Sequence, residues 1–346
     1  MKKISKILST GFLALSLGLF AGCVSGNENT TESGANGGGS GGNGENINFS
    51  LTHITQESHS WHKTAEKFGE ELEERSDGRM SLEIFAAGQL GSEQDMLQQM
   101  ETGSVDFGII TNGYMSTRNT EFNAWFMPFV FDSLEEATEA RHTDAAKEML
   151  ANLESQGFIG MDFIFAGNRH ILMEGDIVTS PDDVQGKQVR VIGSPSIQDF
   201  WEAVGAGPTP MPLPEVYTSL QTGVIDGIDI DLDALVTEKY YEIADNLTLT
   251  NHMTWPAVVM MSQESYSNLS EEDQQIVEEA MSAAVEWGIQ EAIQREESNL
   301  EEVEAQGITV HHLEDAGAFD EVTKEIREKY SQESDIIASF LESTTQ

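Results

Sequence analysis

Two arginines are the residues whose type and setting point most directly to chemistry. The chain has 346 residues, with 60 Asp and Glu against 18 Lys and Arg, and a formal net charge of −42. Most of its few arginines stand in acidic stretches with helical spacing. Arg169 and Arg190 do not. Arg169 follows the apolar run 161–167 and precedes Ile171-Leu172-Met173, and Arg190 lies inside Val189-Arg190-Val191-Ile192. A guanidinium among β-type apolar residues needs a partner, because a stranded buried charge is costly. Its planar fork suits a carboxylate held by two parallel hydrogen bonds. Composition leaves two readings open: capture of an anionic ligand, or an internal ion pair chosen from many acids.

Other chemistry has less behind it. There is no nucleophilic Cys, no Walker-type loop, and no Gly-x-Ser-x-Gly elbow set between a strand and a helix. His59 and His62 are three apart on a helix, a spacing a metal could use. No third ligand accompanies them, so they are expected at the surface without a metal. His311-His312 lies near a strand end and signals nothing. One cysteine excludes a disulfide framework and a cysteine-rich zinc site. The charge excludes side-chain binding to DNA, RNA or anionic lipid. The expectation is a protein that is not an enzyme and carries no cofactor.

The arginines need a scaffold, which follows an N-terminal leader. Lys2, Lys3 and Lys6, the apolar stretch 7–20, and Ala21-Gly22 ahead of Cys23 are the parts of a secretory signal over residues 1–22. A cysteine directly after Ala-Gly resembles a bacterial lipobox. Cys23 is then the lipidated start of the mature chain, held at the membrane by about 0.8 kcal/mol per buried CH₂. Residues 23–46 read as a flexible linker rich in Gly, Ser and Asn. No strand precedes these glycines and no apolar helix follows, which removes a phosphate-binding loop.

Beyond the linker, strands and helices alternate. Strands are predicted at 48–54, 81–85, 105–110, 160–166, 188–192, 225–230 and 257–261. Trp61, Ala65, Phe68 and Leu72 form one helical stripe. The pattern predicts α/β layers with a largely parallel sheet. Met100-Glu-Thr-Gly-Ser-Val-Asp106 and Leu220-Gln-Thr-Gly-Val-Ile-Asp226 share one order: helix end, a Gly suited to the left-handed position, buried strand. That repetition predicts two similar lobes, and a ligand between them at the strand C-terminal ends. A capping pair, Ser270 and Asp273, starts a helix that only Gly288 interrupts before Gly307. Its length of about 50 Å, at 1.5 Å per residue, exceeds one lobe. Ile276, Ala280, Ala283, Trp287 and Ala292 are its expected buried residues. Trp125-Phe126-Met127-Pro128-Phe129 is expected in a core or between lobes.

Eight motifs then occur in order at suitable spacing. They are Gly88-Gln-Leu-Gly91, Met127-Pro-Phe129, Gly167-Asn-Arg169, Val184-Gln-Gly-Lys-Gln-Val-Arg190, Pro208-Thr-Pro-Met211, Glu215-Val-Tyr-Thr-Ser-Leu-Gln-Thr-Gly-Val-Ile-Asp-Gly227, Leu249-Thr-Asn-His252 and Leu269-Ser-Glu-Glu-Asp273. Through them residues 48–333 resemble the substrate-binding subunit of a TRAP (tripartite ATP-independent periplasmic) transporter of the DctP type. The resemblance implies a two-lobed α/β fold, periplasmic-binding-protein-like (type II), with a ligand cleft and a long helix spanning both lobes. Lobe I is expected over 47–166 plus about 256–295, and lobe II over 167–255 plus about 296–346.

The implied function is an extracytoplasmic receptor; with Cys23 lipidated, it is expected at the outer face of the cytoplasmic membrane or on the periplasmic side. It would capture a small organic carboxylate and deliver it to small and large integral membrane permease subunits for ion-gradient-driven uptake. Arg190 is implied as the partner of the ligand carboxylate, with a contribution from Arg169. Ser92, Thr111, Asn112, Gly193, Leu213, Asp229 and His252 are implied as pocket lining. No catalytic residue, cofactor or metal is implied. Where relatives often show Gln-Glu-Asn-Pro, this chain has Ile228-Asp229-Ile230-Asp231, so no one substrate carries over. A C4-dicarboxylate or sugar acid is expected. A zwitterionic compatible solute, which the added acids would suit, is the alternative, as is a sensing role for the same fold. The net charge itself points to a salty habitat: at 1 M the Debye length is about 3 Å, which screens surface acids but not a desolvated arginine.

Overall fold

A computed structural model describes residues 46–344. The expected signal peptide, Cys23 and nearly all of the linker lie outside the described residues. The strands are β1 (Ile47–Thr52), β2 (Met80–Phe85), β3 (Phe107–Thr111), β4 (Phe158–Asn168), β5 (His170–Met173), β6 (Gln188–Val191), β7 (Gly207–Pro210), β8 (Gly227–Ile230), β9 (Asn246–Leu249), β10 (Thr254–Ser262) and β11 (Thr309–His312). They form two sheets, ordered β2-β1-β3-β10-β4 and β7-β6-β8-β5-β9-β11.

Taken in those directions the two orders repeat. Each begins with a parallel triplet, and the next strand, β10 on β3 or β5 on β8, runs antiparallel. Each of these strands is antiparallel to its other neighbour as well. The twin helix-Gly-strand units fall at matching places. Gly103 and Gly223 both adopt left-handed φ, +64° and +69°, just before β3 and β8. A largely parallel sheet was the sequence expectation, and the fourth strands are the departure. β4 ends at the cleft and only Arg169 separates it from β5. A strand entering the second sheet from the cleft must run away from it, against the triplet. β10 does the same in the first sheet. Periodicity along the chain contains no trace of that exchange. Of the strands not predicted, β7 is Gly-Pro-Thr-Pro at a sheet edge, where proline's missing N–H is tolerated.

The helix Glu271–Ala305 is 35 residues long, and the Ser270 side chain accepts the Asp273 N–H at its start. It belongs to both lobes. Arg141 ties its Glu286 to Asp162 of β4. Farther along, Arg295 donates to Asp233 at 3.1 Å and to the Ser58 carbonyl at 2.8 Å. Glu296 accepts the Asn168 N–H, at the end of β4, at 3.0 Å. Gly288 is there because Thr64 of the helix Ser60–Arg75 presses on it: an added Cβ would lie 2.2 Å from Thr64 Oγ1. The buried stripe therefore runs through Val277, Ala280, Met281, Ala284, Val285, Gly288, Ile289 and Ala292. Trp287, expected inside, is 39% exposed, because it lies one position before Gly288 and is turned about 100° away from it around the helix. The run beginning at Trp125 is core, with Trp125 4.8 Å from both Phe163 and Phe340 between ring centroids.

Candidate functional site

A cavity of about 510 Å³ is lined where strands end and helices begin. His59 and Trp61 come after β1, Ser92 and Glu93 after β2, Thr111 at the end of β3, Gly193 after β6, Leu213 after β7 and Asp231 after β8. The local sequence dictates this. His59 Nδ1, Ser92 Oγ, Thr111 Oγ1 and Asp231 Oδ1 each accept a backbone N–H from the turn they cap. The helices Ser60–Arg75, Glu93–Glu101, Pro195–Ala203 and Leu213–Gln221 all start at this rim. Their positive dipole ends favour an anion there.

Arg190 stands on β6 and is 2% exposed. Its Nε and one terminal nitrogen donate to the Met211 carbonyl, at 3.1 and 3.0 Å. The other terminal nitrogen donates to the Asp229 carbonyl at 3.4 Å. Among the described residues no carboxylate pairs with it. A guanidinium has five N–H bonds, so each terminal nitrogen keeps one uncommitted. Those two are available to a carboxylate, the anion a guanidinium holds best. Burial pushes the pKa down to about 10, so the cation persists at neutral pH.

Arg169, the single residue between β4 and β5, is already neutralised. Its Nε donates to Asp229 Oδ1 and a terminal nitrogen donates to the Asp229 carbonyl. The remaining terminal nitrogen is 3.6 Å from Asp231 Oδ2, and the guanidinium lies 4.7 Å from the centre of a Trp255 ring. Asp229 Oδ2 accepts the Trp201 indole N–H at 2.7 Å and faces His252 Nε2 at 3.2 Å. Burial alone would raise the Asp229 pKa. The Arg169 and His252 charges and these hydrogen bonds outweigh it and hold the carboxyl well below the usual range.

The structure thus gathers Arg190, Arg169, Ser92, Thr111, Gly193 and Leu213 around one cavity. Asp229, His252 and Asn112 stand behind its lining. Asp229 is turned onto Arg169, and His252 stacks on Phe200 with ring centroids 5.7 Å apart. Asn112 is buried with neither amide atom partnered among the described residues. His59 and His62, expected at the surface, are buried. The helix they begin is covered along its first turn, where His62 Nδ1 lies 3.0 Å from His53 Nε2. Burial lowers the pKa of His62 and, with the His62 charge, that of His53 to about 3. No metal-binding cluster occurs among the described residues. Sequence reasoning missed His59, Trp61, Glu93, Asp231 and Trp255 as lining. The usable signal was a capping residue directly after a strand. Glu93 accepts the Thr111 N–H at 2.7 Å and its hydroxyl at 3.0 Å, and burial pushes its pKa up to about 7.

The model of the DctP family, bacterial extracellular solute-binding protein family 7, matches residues 51–333. A solute-binding protein of Roseobacter denitrificans is 31% identical over 243 residues, 70% of this chain and 74% of its own length. The ectoine-binding periplasmic protein TeaA of Halomonas elongata is 30% identical over 275 residues, 77% and 79% of the two chains. Among solved structures, a TRAP periplasmic solute-binding protein from Sulfitobacter sp. NAS-14.1 with bound β-D-galacturonate is similar at a TM-score of 0.81. It is 28% identical, with 86% of this chain and 99% of that one covered.

Proposed function

The chain belongs to the DctP family of bacterial extracellular solute-binding proteins, and from that premise we propose that it receives a small organic carboxylate for a TRAP transporter. One observation carries the ligand class: Arg190 is a buried cation whose partners are carbonyls, with one free N–H on each terminal nitrogen. Ser92, Thr111, Gly193 and Leu213 line the same cavity. Arg169, bound to Asp229 and lying over Trp255, supplies wall and field, not a free fork. Delivery to small and large permease subunits is supported by family membership. Anchoring through Cys23 is supported by the Ala-Gly-Cys order and the leader before it. Receptors of comparable identity are named for ectoine or hold galacturonate, so similarity alone does not choose the ligand.

The test is a thermal-shift screen of organic acids. A true ligand at 100 times its Kd stabilises by about 2.7 kcal/mol, a shift of several degrees. A screen in which no C4-dicarboxylate, sugar acid or related acid moves the midpoint refutes the reading. We also infer a salt-rich habitat, supported by the charge of −42. Self-repulsion among surface acids weakens the compact state and is screened by salt. The melting temperature is expected to climb as NaCl goes from about 0.1 to about 2 M, a range over which the Debye length shrinks from about 10 Å to below 3 Å. A flat or falling curve would count against it.

A further inference from the structure

Two helices begin beside the cavity with their first available amides held from the other half of the molecule. The helix Ser60–Arg75 leaves β1 of the first sheet, yet the Ser60 N–H donates to Asp233 Oδ2 at 2.7 Å, and Asp233 follows β8 of the second sheet. The helix Pro195–Ala203 leaves β6 of the second sheet. Its own Ser194 makes no side-chain cap, and Pro195 has no N–H to offer. The Ser196 N–H donates instead to Asn123 Oδ1 at 3.1 Å, and Asn123 follows β3 of the first sheet. The Ser194 hydroxyl donates to the same oxygen at 3.1 Å.

The exchange is reciprocal. β1 and β6 are the middle strands of the two parallel triplets, and β3 and β8 lie next to them. Each sheet's middle strand thus feeds a helix that is capped from beyond the other sheet's third strand. Both caps are held from behind. Asn123 Nδ2 donates to the Thr120 carbonyl at 2.9 Å and to the Ser116 carbonyl at 3.4 Å, which aims Oδ1 across. Asp233 Oδ1 accepts from Arg295 at 3.1 Å and from Asn299 at 3.3 Å, which leaves Oδ2 for Ser60. Ser60, Asn123, Ser194, Ser196 and Asp233 are each at most 1% exposed. Near Asn123 the two halves touch: a Cβ added to Gly113 would lie 2.3 Å from Ile192 Cγ2. The cavity lining includes His59 and Trp61, either side of Ser60, and Ile192 and Gly193, just ahead of Ser194.

We propose that Asn123 and Asp233 are paired latches, which break together when the two halves part and so set how often the cavity opens. They are positioning residues, and neither lines the cavity. A cap that spans two halves does not survive their separation. Each cap lost then shifts the balance toward the open form by a factor of about five to ten. Apparent affinity scales with the fraction of molecules in the binding-competent form. Loss of one latch should therefore weaken every ligand by one common factor and leave the order of preference alone. The latches act on opening, whatever acid the cavity takes, so their failure and that of the carboxylate reading are separate events.

Hydrogen exchange of the intact protein without ligand, resolved to single amides, tests this. The Ser60 and Ser196 amides are expected to share one protection factor, well below that of amides inside β3 and β8, because a partial opening releases both. Asn123→Ala should speed exchange at Ser60, on the other helix, by about five- to tenfold. Asp233→Ala should do the same at Ser196. Ser194→Ala deletes one of the two bonds to Asn123 and is the milder variant, expected to speed Ser60 by about two- to fivefold. Acceleration confined to the helix whose cap was removed overturns the latch, since each cap then serves one helix alone. Helix starts protected as strongly as β3 and β8 also overturn it, because the pairs then break only with the whole fold. So do helix starts that exchange as fast as free peptide, because the pairs then hold nothing together.

Discussion

Arg190→Ala is expected to weaken binding of the organic acid by about 30-fold to several-thousand-fold, which corresponds to about 2–5 kcal/mol for truncating one partner of a buried charge pair. The size follows from what remains. The Met211 and Asp229 carbonyls that Arg190 covers would turn their negative ends toward the ligand's negative charge. Arg190→Lys keeps the charge and loses the fork, so its affinity should fall between wild type and alanine. The empty protein is expected to behave differently. A guanidinium buried with no carboxylate is a burden on the fold, so the ligand-free alanine variant should melt no lower than wild type. Titration calorimetry reads the first effect and scanning calorimetry the second. Wild-type affinity in the alanine variant would remove Arg190 from the site.

Asp229→Ala should do the reverse, damaging the fold before any ligand is considered. It leaves Arg169 charged, 1% exposed and without its principal counter-ion, and it strands the Trp201 and His252 hydrogens that Asp229 accepts. Breaking a buried pair from one side costs about 3–5 kcal/mol. In a chain of this size that lowers the melting temperature by on the order of 10 °C. Replacing both partners with apolar residues, Arg169→Met with Asp229→Leu, should recover part of the loss, since no bare charge then remains. An Asp229→Ala protein that melts within about 2 °C of wild type, less than one kcal/mol at this size, would show that the pair bears no weight.

These contrasting expectations mark where sequence reading stopped. Both arginines look alike along the chain, each in an apolar β setting. What separates them is register. β5 pairs with β8 so that His170 lies opposite Ile230 and Ile171 opposite Asp229, which brings Arg169, 60 positions away in sequence, to the Asp229 carboxylate. β6 pairs with the other side of β8 and meets only carbonyls. No local rule selects one acid among 60. The long helix was legible because its signals are local: a cap at Ser270, no proline, a glycine past the end. The burial of His59 was not. It depends on Asp233, 3.6 Å from its ring nitrogen, and on the Trp61 ring packed against it, contacts set by tertiary packing.

The strand exchange between the sheets also sets a timetable for biogenesis. In the first sheet β10 sits between β3 and β4, yet it is made after every residue of β5 to β9. A polypeptide emerging from its N-terminus therefore holds β3 and β4 apart, each with an open edge, until residue 262 has arrived. Pairings across such long sequence separation close slowly, and unpaired edges invite aggregation meanwhile. The first sheet therefore cannot close before the strands β5 to β9 of the second have been made. Fragments ending near residue 250 should fail to fold, although by length they contain most of the molecule.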